Sequence, residues 1–232
     1  MQFLTLLPIT VPTSGPGEAA VFFPLVGALL GTIAGVLFLM AQRFFDPSIA
    51  ALIAIAGLIG MTGALHEDGL ADVADAFRAG RSREKIMAIL KDSRIGVYGA
   101  LALIVSFTLR WQSLIRFQVN VILGLAASLA VSRSALVLLA FSTPAVGEGL
   151  GASFTSFLSA RTAAAVLAQA LLFAFLCGWR GILILFTSGL AIVLARSYFV
   201  RRLGGANGDC LGATCQVVET MSLMVLAWQH SS

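Results

Sequence analysis

Apolar stretches of about twenty residues recur along this chain, and nothing else in it constrains the fold as strongly. They run over about 19–42, 47–65, 96–115, 118–141, 161–179, 181–200 and 211–229. Each is close to the ~20 residues an α-helix needs to cross the hydrocarbon core of a bilayer. Of the 232 residues 59% are hydrophobic and 11% charged, and the mean hydropathy is +0.96. An ordinary soluble domain carries about 25% charged residues, so this chain cannot dress a water-facing surface. The expected fold is all-α: a polytopic transmembrane helix bundle of about seven spans, with residues 1–232 as one integral-membrane domain. The 23 glycines suit it, because small residues let helices approach closely in lipid.

Three segments fall outside the spans. Residues 1–20 lack a positive leading region and carry Pro8, Pro12 and Pro16. They read as an interfacial segment leading into the first span, and not as a cleaved signal. Residues 142–160 are Gly/Ser-rich and fit either a loop or a partly buried excursion. In 84–91, "EKIMAILK", apolar side chains alternate with charges at helical spacing, which predicts a short amphipathic helix at the cytoplasmic interface.

Positive charge sets the sidedness. Arg78, Arg81, Arg83, Lys85, Lys91 and Arg94 lie in the loop 66–95, and alternation puts Arg161, Arg196, Arg201 and Arg202 on the same side. Arg43, Arg110, Arg116 and Arg180 fall opposite, and Arg133 lies within a span. The bias places the larger group in the cytoplasm. The net charge of +4 is accounted for by topology and anionic headgroups, without nucleic acid. Cys177, Cys210 and Cys215 form no CxxC, so neither a disulfide framework nor a zinc site is expected.

The polar residues concentrate in three places. In "ALHEDGLADVADAFR", 64–78, the residues Asp68, Asp72 and Asp75 are spaced i, i+4, i+7 and share one helix face. Such carboxylates repel one another and call for a cation. Arg78 is one candidate, and a divalent metal is the other. Oxygen-only ligands favour Mg²⁺, Mn²⁺ or Ca²⁺. His66 alone reads as a hydrogen-bonding residue, since "HEDGL" does not fit H-E-x-x-H. In "GGANGDCLGATCQVVE", 204–219, a Gly-rich turn with Asn207, Gly208 and Asp209 leads into a helix where Gly212, Gln216 and Glu219 form a stripe. A carboxylate as deep as Glu219 is either functional or paired, with Arg133 as the candidate partner. In "KDSRIGVYG", 91–99, Lys91 and Arg94 flank Ser93, which can cap the next helix. Cations beside a helix start suit a phosphate. Metal-holding carboxylates beside phosphate-binding cations suggest phosphoryl chemistry.

Together, "GALHEDGLADVADAF", "RSREKIMAILKDSRIGVYGALAL" and "GGANGDCLGATCQVVE" resemble the cobalamin synthase family, the adenosylcobinamide-GDP ribazoletransferases. The resemblance implies an enzyme of the inner (cytoplasmic) membrane, active at its cytoplasmic face. It would join adenosylcobinamide-GDP to α-ribazole, or to its 5′-phosphate, and release GMP with Mg²⁺ as cofactor. The lipid bilayer is the other expected partner, with a second copy of the chain as a candidate one.

Residue by residue, Asp68, Asp72 and Asp75 match the family's acidic string, His66 the His before it, and Lys91, Asp92, Ser93 and Arg94 its K-D-S-R string. Gly208, Asp209, Gly212 and Glu219 match its C-terminal motif. The implied metal ligands are Asp68, Asp72, Asp75, Asp209 and Glu219. The implied catalytic residues are Asp72, Asp75 (the candidate general base) and His66. Lys91, Ser93, Arg94, Asn207 and Gly208 would bind substrate. Leu6 stands where the family usually has Arg, and Glu67 where an apolar residue is common.

A phospholipid-making CDP-alcohol phosphotransferase is a weaker fit, because Asp72 follows Ala71 where that signature needs Arg. A cation- or proton-coupled transporter would need broken helices and an inverted repeat. No repeat is evident, and most acids fall in a predicted loop. The topology has a direct test: single cysteines at positions 80 and 206 are expected to label from the same, cytoplasmic side. Labelling from opposite sides would separate the acidic segment from the C-terminal motif.

Overall fold

Local capping chemistry sets where the helices begin. The computed structural model describes residues 19–92, 94–147, 154, 155 and 157–229. After a single 3₁₀ turn, Ala20–Phe22, come α1 (Phe23–Ala41), α2 (Pro47–Thr62), α3 (Leu65–Ala79), α4 (Arg83–Leu90) and α5 (Val97–Ile115). Then follow α6 (Val121–Ser142), α7 (Ala160–Phe175), α8 (Trp179–Leu203) and α9 (Gly208–Ala227). Asp46 starts α2 by accepting the Ser48 and Ile49 amides, with Pro47 in the first turn, where its missing N–H costs nothing. Asn120, Ser159 and Asn207 cap α6, α7 and α9 in the same way.

Among the described residues, Ala20–Ala41, α5, α6, α8 and α9 are long and apolar enough to cross a membrane. The pair α2 and α3 qualifies together although bent by 87°, and α7 is a shorter apolar helix. That agrees with about seven spans. Helix α4 lies where the amphipathic helix was expected.

Helices α6 and α9 form the inside of the bundle, whereas α8 turns most of its surface outward. The most extensive helix pair, α1 with α6, is built on Gly27, Gly31 and Gly35. A Cβ on them would lie 2.3 Å from Leu129 O, 2.4 Å from Leu125 O and 2.7 Å from Ile122 Cα. Backbone therefore touches backbone, the usual route to tight packing in lipid.

One end of the bundle gathers the polar segments. Val146 N donates to Ala206 O and Ala206 N to Pro144 O, joining the stretch after α6 to the turn before α9. Arg202 of α8 donates to the carbonyls of Phe77 and Gly80, at the end of α3. Contacts at the opposite end include Trp111 Nε1 on Ser48 O, Gln118 N on Leu226 O and Trp179 against Trp228.

Two features differ from the sequence reading. Residues 66–79 are not a loop: they form most of α3, which runs alongside α5 and α9. A broken helix is therefore present. Its break needs Gly63 at φ +63° and Ala64 at φ +58°, the latter the one non-glycine residue with positive φ among the described residues. That conformation is unfavourable for Ala, so packing imposes it. Arg110 does not flank a span; it is buried inside α5 at 2% exposure.

The α1–α6 contact gives a stability prediction. Gly31→Ala should separate the two helices and destabilise the bundle by about 1–3 kcal/mol, the usual scale of overpacking. Unfolding of the detergent- or lipid-reconstituted protein measures it. Gly60→Ala, where a Cβ meets nothing within 4 Å, serves as the control.

Candidate functional site

Helix α3 carries the acidic face, and close packing on α9 positions it. A Cβ on Gly69 would stand 2.9 Å from Asp209 O and 3.3 Å from Asp209 Cα. Gly212 of α9 faces Leu65 and His66 in turn. The two helices run antiparallel, and the first turn of α9 lies beside the middle of α3. Asp68 is exposed, and Asp72 and Asp209 are half-buried. Asp72 feels the charges of Asp68, Asp75 and Asp209, and Asp209 feels that of Asp68. Asn207 caps α9 with its oxygen and donates Nδ2 to Asp209 Oδ2 at 2.7 Å, which orients that carboxylate. A Cβ on Gly208 would meet open space.

Among the described residues, Asp68, Asp72 and Asp209 have no ion-pair partner. Arg78, the candidate neutraliser, lies over the Tyr98 ring at 5.7 Å. The donor set is all carboxylate, which suits a hard divalent cation. Among the described residues, however, no three such side chains converge closely enough to hold an ion by themselves. Bound phosphate oxygens would have to complete the shell, as is usual for Mg²⁺.

The structure gives the other expected residues different settings. Asp75 is buried and accepts the Gly96 amide at 2.7 Å. It thus caps α5 from another helix; the N-cap position belongs to Gly96, not Ser93. Ser93 lies outside the described residues. Gly96 and Gly99 leave room for this carboxylate, because a Cβ on either would meet its oxygens. Lys91 ends α4 and is exposed. Arg94 forks onto Asp92, Nε to Oδ1 at 3.0 Å and Nη2 to Oδ2 at 2.7 Å. Those bonds hold the Asp92 carboxyl below its ordinary pKa.

His66 and Glu219 sit deeper, in a cluster of buried charges. Arg110 Nη1 donates to Glu67 Oε1 at 2.7 Å, and its Nη2 lies 3.1 Å from Glu219 Oε1. Arg133 Nη1 pairs with Glu219 Oε2 and donates to Ser132 Oγ at 2.8 Å. His66, 1% exposed, feels the charges of Arg133, Glu219 and Arg110. Both oxygens of Glu219 are thus engaged by arginines. Sequence reasoning named Arg133 as a partner for Glu219 but missed Arg110 and Glu67. The signal available was that Arg110, like Arg133, is a charge inside an apolar stretch.

An all-helical membrane bundle with a carboxylate face at one end is the class these features define. The family model of cobalamin-5-phosphate synthase matches residues 1–227. The chain belongs to that family of cobalamin-biosynthesis transferases. It is 34% identical to the adenosylcobinamide-GDP ribazoletransferase of Escherichia coli (strain K12 / DH10B), over 97% of this chain and 96% of the relative. It is 39% identical to the protein of the same name from Rhizobium etli (strain CIAT 652), over 88% and 84% respectively. No solved structure matches.

The α3–α9 contact is testable through Gly69→Ala. The added methyl must push α3 off the Asp209 backbone, so activity should fall by at least about tenfold, since small misplacements are costly in catalysis. Stability should fall by about 1–3 kcal/mol. Turnover and unfolding of the same preparation measure both, and a silent substitution would show that the helices are not in contact there.

Proposed function

We propose that this chain joins adenosylcobinamide-GDP to α-ribazole, or to its 5′-phosphate, and releases GMP. The reaction would be a Mg²⁺-assisted phosphoryl transfer at the cytoplasmic face of the inner membrane. Membership of the family supports the reaction class, and the names of the relatives supply the substrates. The observation that carries the chemistry is local. Asp68, Asp72 and Asp209 lie near enough at the α3–α9 seam to feel one another's charge, and none has an ion-pair partner among the described residues.

In this reading the ribose 3′-hydroxyl of the acceptor attacks the phosphorus attached to the cobinamide aminopropanol. The new O–P bond forms as the bridging P–O bond breaks, and GMP departs with the electron pair. Asp68, Asp72 and Asp209 would hold Mg²⁺, which supplies charge neutralisation on the phosphoryl oxygens. Asn207 keeps Asp209 aimed at the seam. Gly208, open above the first turn of α9, lets substrate approach the backbone. Asp75 ties the start of α5, and with it the Lys91–Arg94 segment, to the acidic face; its Oδ1 is the atom left to take the hydroxyl proton. Lys91 and Arg94 would neutralise the pyrophosphate, with Arg94 exchanging the Asp92 carboxylate for phosphate oxygens. His66 and Glu219 belong to the buried cluster and act through it.

The test is turnover of purified protein in lipid with adenosylcobinamide-GDP, α-ribazole and Mg²⁺, following GMP. Asp72→Asn keeps size and removes a charged oxygen, so turnover should be nearly abolished with the fold retained. Asp46→Asn, at the opposite end, should be nearly silent, because Asn caps α2 as well as Asp does. An Asp72→Asn protein with normal turnover would remove the acidic face from the reaction.

A further inference from the structure

Helix α3 reaches the acidic face from a break and not from a continuous helix. Gly63 and Ala64, both left-handed, turn the chain by 87° immediately before it. Helix α2 therefore does not stiffen α3, and the setting of α3 on α9 must come from its own contacts. At its far end the Arg202 guanidinium holds the Phe77 and Gly80 carbonyls, and Asp75 holds the Gly96 amide. At its near end the polar anchor is Glu67, adjacent in sequence to Asp68.

Glu67 is anchored by Arg110, and Arg110 also holds α9. Its two terminal nitrogens reach different carboxylates on different helices: Nη1 to Glu67 Oε1 and Nη2 to Glu219 Oε1. Arg110 and Glu219 are each 2% exposed and Glu67 15%. Arg133 takes the second oxygen of Glu219, so two positive and two negative charges balance inside the bundle. Apolar residues of similar volume would tie these four helices together at least as stably. What the guanidinium adds is geometry, because its planar fork fixes two acceptors relative to each other. Glu219 lies ten residues after Asp209, about 15 Å along α9 at 1.5 Å per residue. The fork therefore sets the register of α3 along α9 from below the acidic face.

We propose that Arg110 is a positioning residue: by bridging Glu67 of α3 to Glu219 of α9, it holds Asp68 and Asp72 in register with Asp209. The proposal rests on the reading that these three carboxylates serve the reaction.

Two variants test it in the full chain reconstituted in lipid. Arg110→Lys keeps the charge but offers a point donor that cannot span both carboxylates. Glu67→Leu removes only the α3 limb, acceptor included, and leaves the Arg110–Glu219–Arg133 group paired, so it remains informative should Arg110→Lys fail to fold. Nitroxides on Leu70→Cys and Val217→Cys flank the α3–α9 seam away from the acidic face, where both residues line one outward-facing cavity. The native cysteines are buried. In each folded variant the dipolar broadening between the labels is expected to change. In the unlabelled variants kcat should fall about tenfold while KM for adenosylcobinamide-GDP moves less than twofold, because misalignment acts on the chemical step. Unchanged broadening overturns the proposal whatever the rate does, as does a variant that lowers only the melting temperature. An active Asp72→Asn, by contrast, would defeat the reading of the acidic face and leave the broadening to judge the clamp.

Discussion

Four charges meet inside the bundle: Glu67, Arg110, Glu219 and Arg133. Ionised groups in so apolar a setting are tolerable only when paired and hydrogen-bonded. Removing one member of such a group typically costs ~3–5 kcal/mol, because its partner is left buried and unpaired. The cluster therefore dictates which faces of α3, α5, α6 and α9 turn inward. With Glu67 directed to Arg110, Asp68 and Asp72 are left on the side of α3 that feels Asp209 of α9.

Two kinds of acid thus share one short helix. Glu67 is neutralised by arginine and belongs to the architecture. Asp68 and Asp72, with Asp209 across the seam, have no cation of their own among the described residues and remain available to a ligand. Asp75 is intermediate: it caps α5 and brings the Lys91–Arg94 segment to the same end. Glycine makes the arrangement compact. Gly69 lets α3 touch the Asp209 backbone, and Gly27, Gly31 and Gly35 do the same for α1 on α6.

Much of this was legible in the sequence because it is local. The spans follow from apolar length and the common face of Asp68, Asp72 and Asp75 from their spacing, whereas the one cap read from sequence, Ser93, gives way to Gly96. The pairing of Arg110 with Glu67 spans 43 residues, and no helical periodicity encodes it. Arg110 lies near the end of its apolar stretch and so counted as a flanking charge. The contact of Asp75 with Gly96 reaches across 21 residues and was hidden for the same reason. The break at Ala64 runs against local preference, so tertiary packing alone explains it. Family membership over residues 1–227 fixes the class of transferase, while the division of labour among the acids comes from the geometry.

The central claim is that the α3–α9 seam holds a divalent cation against phosphate. Its most direct measurement is anomalous diffraction at the manganese edge from crystals grown with Mn²⁺ and GMP. The account predicts a peak bounded by Asp68, Asp72 and Asp209, within bonding distance of phosphate oxygens. GMP bound with no such peak, or a peak placed only elsewhere, would contradict it.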